Sequence, residues 1–566
     1  MKCGDCSNCM TIQTMKTALK FIFLLILYPA FFSPVSAEEQ CLSCHTENSS
    51  LSSFHDPAEI GCTSCHAGKA SAKTKENAHQ NLEAFPGRMQ TVEQSCGQSG
   101  CHAELIPLVQ NSRMNTLDGM LSGTRRVFGE KPKKQSHADL NQRLSEKGAD
   151  SYLRKLCVSC HLGSERKNHQ QSLQDRGGGC AACHLQTHPD SSHPALSVRV
   201  DNDRCFGCHS RSGRISLNYV GLAETEKYEQ KNSANFGRLA DGRLVKKLAL
   251  DVHSKAGMAC IDCHTVRGVM GSGKRHEAQL DIQCSDCHAK KLFRKPLAEL
   301  QAREALYSAL YPDNFHTAVD GTIIVSEKNG TPLFHLWEEN GGRFLKGKIS
   351  GKKMEIPLMN SGQQHELKGH ERLNCDSCHA SWAPQCYGCH IEYDPQQTQW
   401  DHLKQKRTPG RWIEKRWAVE SGIPALGVTG KNRITPFVPG MNLILQTSPE
   451  SASVRKQIFA SLSPHTTQLK VRSCESCHRN DAALGIIREQ ATHPEHPEWS
   501  LPLGWITENA KQPGKAAKKA DRSFNTTEIA KIRRVGSCLK CHLQEDKVFA
   551  DFQLSLQNLP VDHAEY

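Results

Sequence analysis

CVSCHLGSERKNHQQSLQDRGGGCAACHLQTHPDSSHPALSVRVDNDRCFGCH, residues 157–209, carries the string Cys-x-x-Cys-His three times: Cys157/Cys160/His161, Cys180/Cys183/His184 and Cys205/Cys208/His209. Upstream the string occurs at Cys41/Cys44/His45 and Cys62/Cys65/His66. Downstream it occurs at Cys260/Cys263/His264, Cys284/Cys287/His288, Cys375/Cys378/His379, Cys386/Cys389/His390, Cys474/Cys477/His478 and Cys538/Cys541/His542. A twelfth string, Cys96-GQSG-Cys101-His102, has a longer spacer. Together they take all but three of the 27 cysteines in the 566-residue chain.

This spacing is the signature of c-type haem attachment. The two thiols form thioethers with the porphyrin, and the adjacent histidine sits under the iron as its proximal ligand. The other readings are disulfides and zinc. A disulfide framework does not need histidine after every second cysteine. Zinc sites want four ligands and usually pair two Cys-x-x-Cys knuckles. Repetition of the Cys-His junction favours haem c, about twelve groups with their iron. For the Cys96 string a plain disulfide is the alternative.

The remaining cysteines, Cys3, Cys6 and Cys9, precede an apolar run. Lys16 and Lys20, the run Phe21 to Phe32, and Val35-Ser36-Ala37 read as a secretory signal over 1–37, with Met15 as an alternative start of translation. The run is too short to span a bilayer. The formal charge of +12 would by itself point to an anionic polymer. Haem propionates offset it, so the basic residues are read as propionate partners and solvated surface, not as a nucleic-acid footprint.

Hydrophobic residues make up 37% of the chain and aromatics 6%, thin for this length. The expected fold is therefore mainly irregular and α, with short helices wrapped round a haem chain and a small β-hairpin insertion. The expected divisions are an N-terminal module over 38–130 with three haems, a central module over 131–311 with five, a β-rich insertion over 312–360, a two-haem module over 361–407, and a C-terminal module over 408–566 with two haems. Within these, 291–311 has leucines near one helical face. Residues 319–357 alternate apolar and polar around Asn329-Gly330 and Gly341-Gly342. The stretch 408–447, with Pro409, Pro424, Pro436 and Pro439, reads as a loop-rich connector, and 509–522 as a flexible basic linker.

A haem iron with a proximal histidine needs a second axial ligand or an open face. Of 29 histidines, the motif residues set aside, seventeen remain, enough for bis-histidine ligation throughout. The candidate distal ligands are His55, His137, His253, His276, His316, His370, His402 and His465. His55 and His253 precede the next string by seven residues, and His370 precedes Cys375 by five. His169, His188 and His493 fill further gaps, with His193 and His496 as alternatives to the last two.

Residues 101–129 (CHAELIPLVQNSRMNTLDGMLSGTRRVFG), 157–184, 205–221 (CFGCHSRSGRISLNYVG) and 464–478 (PHTTQLKVRSCESCH) resemble the large multihaem, dodecahaem-type c cytochromes of metal-reducing bacteria. The resemblance implies electron transfer in anaerobic respiration toward an outer-membrane or extracellular acceptor. Its partners would be other c-type cytochromes or quinol-linked donors on one side, and an outer-membrane conduit, metal ion or mineral on the other. It implies His465 as a distal ligand. No lipobox precedes Cys41, which points to a periplasmic or secreted protein without a lipid anchor. An electron carrier has no catalytic residue. The alternative is an oxyanion reductase with one five-coordinate haem, the Cys96 site being its first candidate.

Overall fold

The computed structural model describes residues 39–46, 51–130, 140–164, 176–186, 193–211, 214–225, 234–275, 280–302, 304–305, 316, 320–359, 365–486, 497, 521–543, 546–549 and 557. The signal-like segment with Cys3, Cys6 and Cys9 lies outside them, as do His137, His169, His188, His276, His493, His496 and the basic stretch 509–520. Among the described residues, no helix is long and apolar enough to cross a membrane.

The chain divides into two compact units. The smaller comprises Met1–Pro107, Gly178–Ala181 and Leu185–Ser197. It is built from single helical turns such as Cys41–Cys44, Pro57–Ile60 and Thr63–His66. One two-stranded ladder, β1 (Leu185–Gln186) with β2 (Ala195–Leu196), belongs to it.

The larger unit comprises Leu108–Gly177, Ala182–His184 and Val198–Tyr566. It holds strands β3 (Leu222–Glu224), β4 (Phe236–Arg238), β5 (Leu244–Lys247), β6 (Phe293–Pro296), β7 (Thr322–Val325), β8 (Leu336–Glu339), β9 (Gly342–Lys346) and β10 (Lys353–Glu355). The long strands follow: β11 (Ala383–Asp401), β12 (Lys406–Gly422), β13 (Leu426–Val428), β14 (Ile434–Gln446) and β15 (Val454–Ser461). They pair as β3-β5-β4, β6-β7 and β10-β9-β8, and as a five-stranded sheet of order β12-β11-β14-β13 with β15 on β14. The β11–β14 pair is parallel and the other pairs of that sheet are antiparallel.

These sheets overturn the expectation of a mainly irregular and α fold wrapped round haems. The stretch 408–447 is not a loop-rich connector but most of β12 and all of β13 and β14. Its prolines do not break the sheet, because proline is tolerated at bulges and edges. Pro439 falls where the β14–β15 register shifts between Val438 and Met441. Pro395 falls in the shift between Asp394 and Thr398 on β11. The helix expected over 291–311 is absent from its described part, which forms β6 and a short 3-10 turn at Leu297–Glu299.

The sheets also bury their own apolar faces. Cys389, Ile391, Trp412, Leu443 and Leu445 form one core, with Phe128, Tyr152 and Tyr393 packed against it. Met258, Ile324, Leu333, Leu336 and Leu345 form another. Gly410 has φ +81°, and a Cβ there would meet the Tyr393 hydroxyl, so the close packing of β11 on β12 requires glycine.

The β11–β12 hairpin positions the 157–161 string. Asp401 caps the hairpin turn by accepting from the Leu403 and Lys404 amides at 3.0 Å each. It also accepts from Arg154 Nε at 2.8 Å, and the Lys155 ammonium donates to the Gly410 carbonyl at 2.5 Å.

Glu224 on β3 ties its small sheet to β12. It accepts from Arg214 at 2.8 Å, Arg243 at 3.1 Å and Arg416 at 2.8 Å. Burial alone would raise its carboxyl. The three guanidiniums overcome that and pull it down to about 2. A depressed carboxyl stabilises the fold above its unfolded value and loses that contribution as pH falls through the folded value. Glu224→Gln is therefore expected to cost about 3 kcal/mol at neutral pH. Denaturant titrations of the intact protein should show the gap closing between about pH 4.5 and pH 2.

Candidate functional site

Most of the strings fold as one helical turn. The histidine amide donates to the carbonyl of the first cysteine at 2.9 Å in the 41, 62, 260, 284 and 474 strings, and at 3.0 Å in the 538 string. That bond sets residues i and i+3 on one face, so both thiols look the same way with the histidine directly behind. The Cys96 string reaches the same closure by looping out its extra residues: the His102 amide donates to the Cys96 carbonyl at 2.9 Å. The thiols of the 205, 260, 284 and 375 strings are in no disulfide.

The histidines meet in pairs, each a motif histidine against one from elsewhere. In the smaller unit the ring centres of His45 and His79 lie 6.1 Å apart, those of His55 and His102 6.2 Å, and those of His66 and His193 6.0 Å. In the larger unit the pairs are His253–His288 at 6.1 Å, His264–His465 at 6.4 Å, His365–His379 at 6.3 Å and His370–His478 at 5.9 Å. Two metal–nitrogen bonds of about 2 Å each place facing nitrogens about 4 Å apart, and ring centres about 6 Å apart. The spacing therefore fits one iron between each pair.

The second ring nitrogen decides which nitrogen faces the partner. An Nδ1 against a carbonyl must be the donor, which leaves Nε2 with its lone pair. His66 Nδ1 donates to Glu83 O at 2.8 Å, His288 Nδ1 to Pro357 O at 2.7 Å, His379 Nδ1 to Gln468 O at 3.1 Å and His478 Nδ1 to Ile532 O at 2.9 Å. Among the partner histidines, His193 donates to Pro194 O at 2.8 Å and His465 to Ser463 O at 3.0 Å. His253 Nδ1 lies 2.8 Å from the Asp251 carboxylate. Burial also favours the neutral imidazole that a metal requires. It pushes His288, His370 and His478 below the usual range. His264 falls to about 4 through burial, with His465 and His209 adding to it.

Of the distal candidates named from sequence, His55, His253, His370 and His465 stand in these pairs. His316 stacks on Trp337 at 3.9 Å. His402 is held by its backbone amide to Arg154 O at 3.0 Å, and burial lowers its ring. His79 and His365, which the sequence offered only as members of a pool, supply two further partners. His193, known only as an alternative to His188, supplies a third. The motif histidine His161 is placed differently: its Nε2 donates to Asn115 O at 2.5 Å. His209 is pushed down by burial and by His465 nearby.

Cys183 and Cys541 were both assigned to haem from their strings, and the structure gives them a different setting from the seven paired sites. The 180 string is divided: Cys180 falls in the smaller unit and Cys183 in the larger. Cys183 is half-buried in the turn Ala181–His184 and in no disulfide. The histidine expected to serve this string, His188, lies outside the described residues. Cys541 is an exposed thiol, in no disulfide, just past the helix Thr526–Cys538. Its amide donates to Cys538 O at 3.2 Å. The ring beside it, His542, has Nδ1 3.2 Å from the Asp546 carboxylate and its centre 6.4 Å from that of Phe549. Neither string belongs to the seven pairs, so haem at Cys183 and Cys541 rests on the spacing of the string alone.

The 386 string does not fit a haem as folded. It lies within β11, where Cys389 faces Leu443 on β14 and Arg416 on β12. Cys389 and His390 are buried. A haem here requires residues 383–390 to leave the ladder.

Glu39, Cys41 and Cys62 bring their donor atoms within 4.8 Å of one another. Glu39 accepts from the Cys62 amide at 2.5 Å and the Thr63 amide at 3.1 Å. It thus caps the turn of the second string.

Against known proteins, 137 residues are 26% identical to a protein described as "Multiheme cytochrome MtrA" from Shewanella baltica (strain OS185), over 24% of this chain and 32% of the relative. The match thus spans about a third of that relative's length, and it relates the chain to multihaem cytochromes. No family model matches the chain, and no solved structure matches it.

The helix Thr526–Cys538 packs Gly536 so closely on the 474 string that a Cβ would collide with the His478 carbonyl. Gly536→Ala is expected to destabilise the protein by about 1–3 kcal/mol. Gly123, inside the helix Asp118–Val127, has nothing within 4 Å of a Cβ. Gly123→Ala should stabilise by roughly 0.5–1 kcal/mol. Chemical denaturation of the two variants beside the parent checks both signs.

Proposed function

We propose that the chain is an exported electron-transfer protein carrying about a dozen covalently attached c-type haems, most of them bis-histidine. The observation that carries this reading is the set of seven motif histidines, each facing a second histidine at 5.9–6.4 Å. A bound haem supplies a one-electron iron centre whose potential follows its axial ligands and surroundings. The chain does the rest. The cysteines anchor the porphyrin edge, backbone carbonyls fix imidazole tautomers, and burial favours the neutral ring at His264, His288, His370 and His478. Two fixed ligands leave little to rearrange when the charge on the iron changes.

The axial pairs are assigned as His45/His79, His102/His55, His66/His193, His288/His253, His264/His465, His379/His365 and His478/His370. The reductase alternative needs an open iron, and its first candidate was the Cys96 string. There His102 and His55 stand on both sides, which favours the carrier. The run at 21–32 supports export to the periplasm or beyond. The partners proposed are another c-type cytochrome or a quinol-linked donor on one side, and an outer-membrane conduit, metal ion or mineral on the other.

The protein should be made in a host that attaches haem c. Its intact denatured mass is expected to exceed the polypeptide by about eleven haems, and by about twelve if residues 383–390 leave the sheet. A mass equal to bare polypeptide sinks the proposal. The variant His370→Gly should open one iron. Carbon monoxide added to the reduced variant should then shift the spectrum of one haem more than in the parent. An unchanged spectrum would remove His370 from the axial set.

A further inference from the structure

In the larger unit, the strings beginning at 205, 260, 284 and 375 share one arrangement: each turns one thiol toward an earlier string and the other toward a later one. The Cys208 thiol hydrogen-bonds that of Cys160, and Cys208 Sγ lies 3.6 Å from the Cys160 carbonyl. The other thiol of the same string, Cys205, meets Cys260. The Cys260 amide donates to Asn202 Oδ1 at 2.8 Å, one turn ahead of Cys205. Cys263 is acted on by Cys287 through charge. The half-buried Lys348 acts on both and donates to Ile261 O at 2.6 Å. Cys284 hydrogen-bonds Cys375, and Cys378 is acted on by Cys477 through charge. At that last junction the Arg472 amide donates to the Cys378 carbonyl at 3.0 Å.

Thioether sulfurs lie on the rim of the porphyrin, so two sulfurs in contact bring two rims together. We propose that the strings beginning at 157, 205, 260, 284, 375 and 474 form one relay in sequence order, joined rim to rim at their cysteine corners. The proposal rests on the haem reading above. At each junction one centre is oxidised and its neighbour reduced by a single electron, and no bond is made or broken. The first electron comes from the donor cytochrome and the last leaves to the acceptor proposed above. Each interior string has one thiol related to the preceding string and the other to the following one. Cys183 also acts on Cys205 and Cys208 through charge.

The test is the set of iron positions in the haem-loaded protein, by cryo-electron microscopy or by anomalous diffraction at the iron edge. Each interior iron is expected to have, among these six, its two nearest irons at the preceding and following strings. Irons present in a different order, for example the 260 iron nearer the 375 iron than the 284 iron, overturn the relay while leaving the haem assignment standing. No iron at the 260 and 284 strings overturns the haem assignment itself.

Discussion

An imidazole is fixed with its Nε2 toward a partner when its other nitrogen is held by something that does not move. At four of the seven paired motif histidines the holder is a backbone carbonyl. Glu83, Pro357, Gln468 and Ile532 each accept from the Nδ1 of a motif histidine. Three of these acceptors lie more than fifty residues from the histidine they hold. The tautomer at each such string is therefore set by tertiary structure. The helical turn brings the cysteines onto one face, but the distant carbonyl aims the ring.

That constraint explains why the chain contains so much ordinary architecture between its strings. The three-stranded sheet β8–β10 delivers Arg343, whose guanidinium donates to Cys287 O and Ala289 O at 2.6 Å each. The segment after it, around Pro357, holds His288. The long hairpin delivers Asp401 and Gly410 to the residues just before Cys157. The sheets act as scaffolding that fixes short turns, each too small to hold its own geometry.

The turns were legible in the sequence because their chemistry is local: two thiols and a histidine within five residues. His253 and His370 were legible as candidates from their place just ahead of Cys260 and Cys375, but each faces the histidine of a later string, His288 and His478. Other pairs join segments far apart, as His66 does with His193 and His264 with His465, and spacing carries no trace of such distances. His465 was reached through resemblance, not periodicity. The sheet was missed for a different reason. Proline read as the mark of a loop at 439, yet it sits where a ladder skips a residue, and a bulge needs no amide there. The low apolar content misled too, because a few aromatics such as Trp412 and Tyr393 close a core that many aliphatic residues would otherwise be needed to fill.

The string within β11 has a bearing on how the chain is made. Cys389 and His390 are buried in that strand, so under the haem reading proposed above loading of the string would have to happen while the segment is still unzipped. Its parallel partner, Asn442–Gln446, lies some fifty residues further on, and contacts of such separation form late in folding. The ladder cannot shut until that partner has emerged. Under the haem reading proposed above, ligation and zipping would race one another, and the outcome would be recorded permanently in the covalent make-up of the finished molecule.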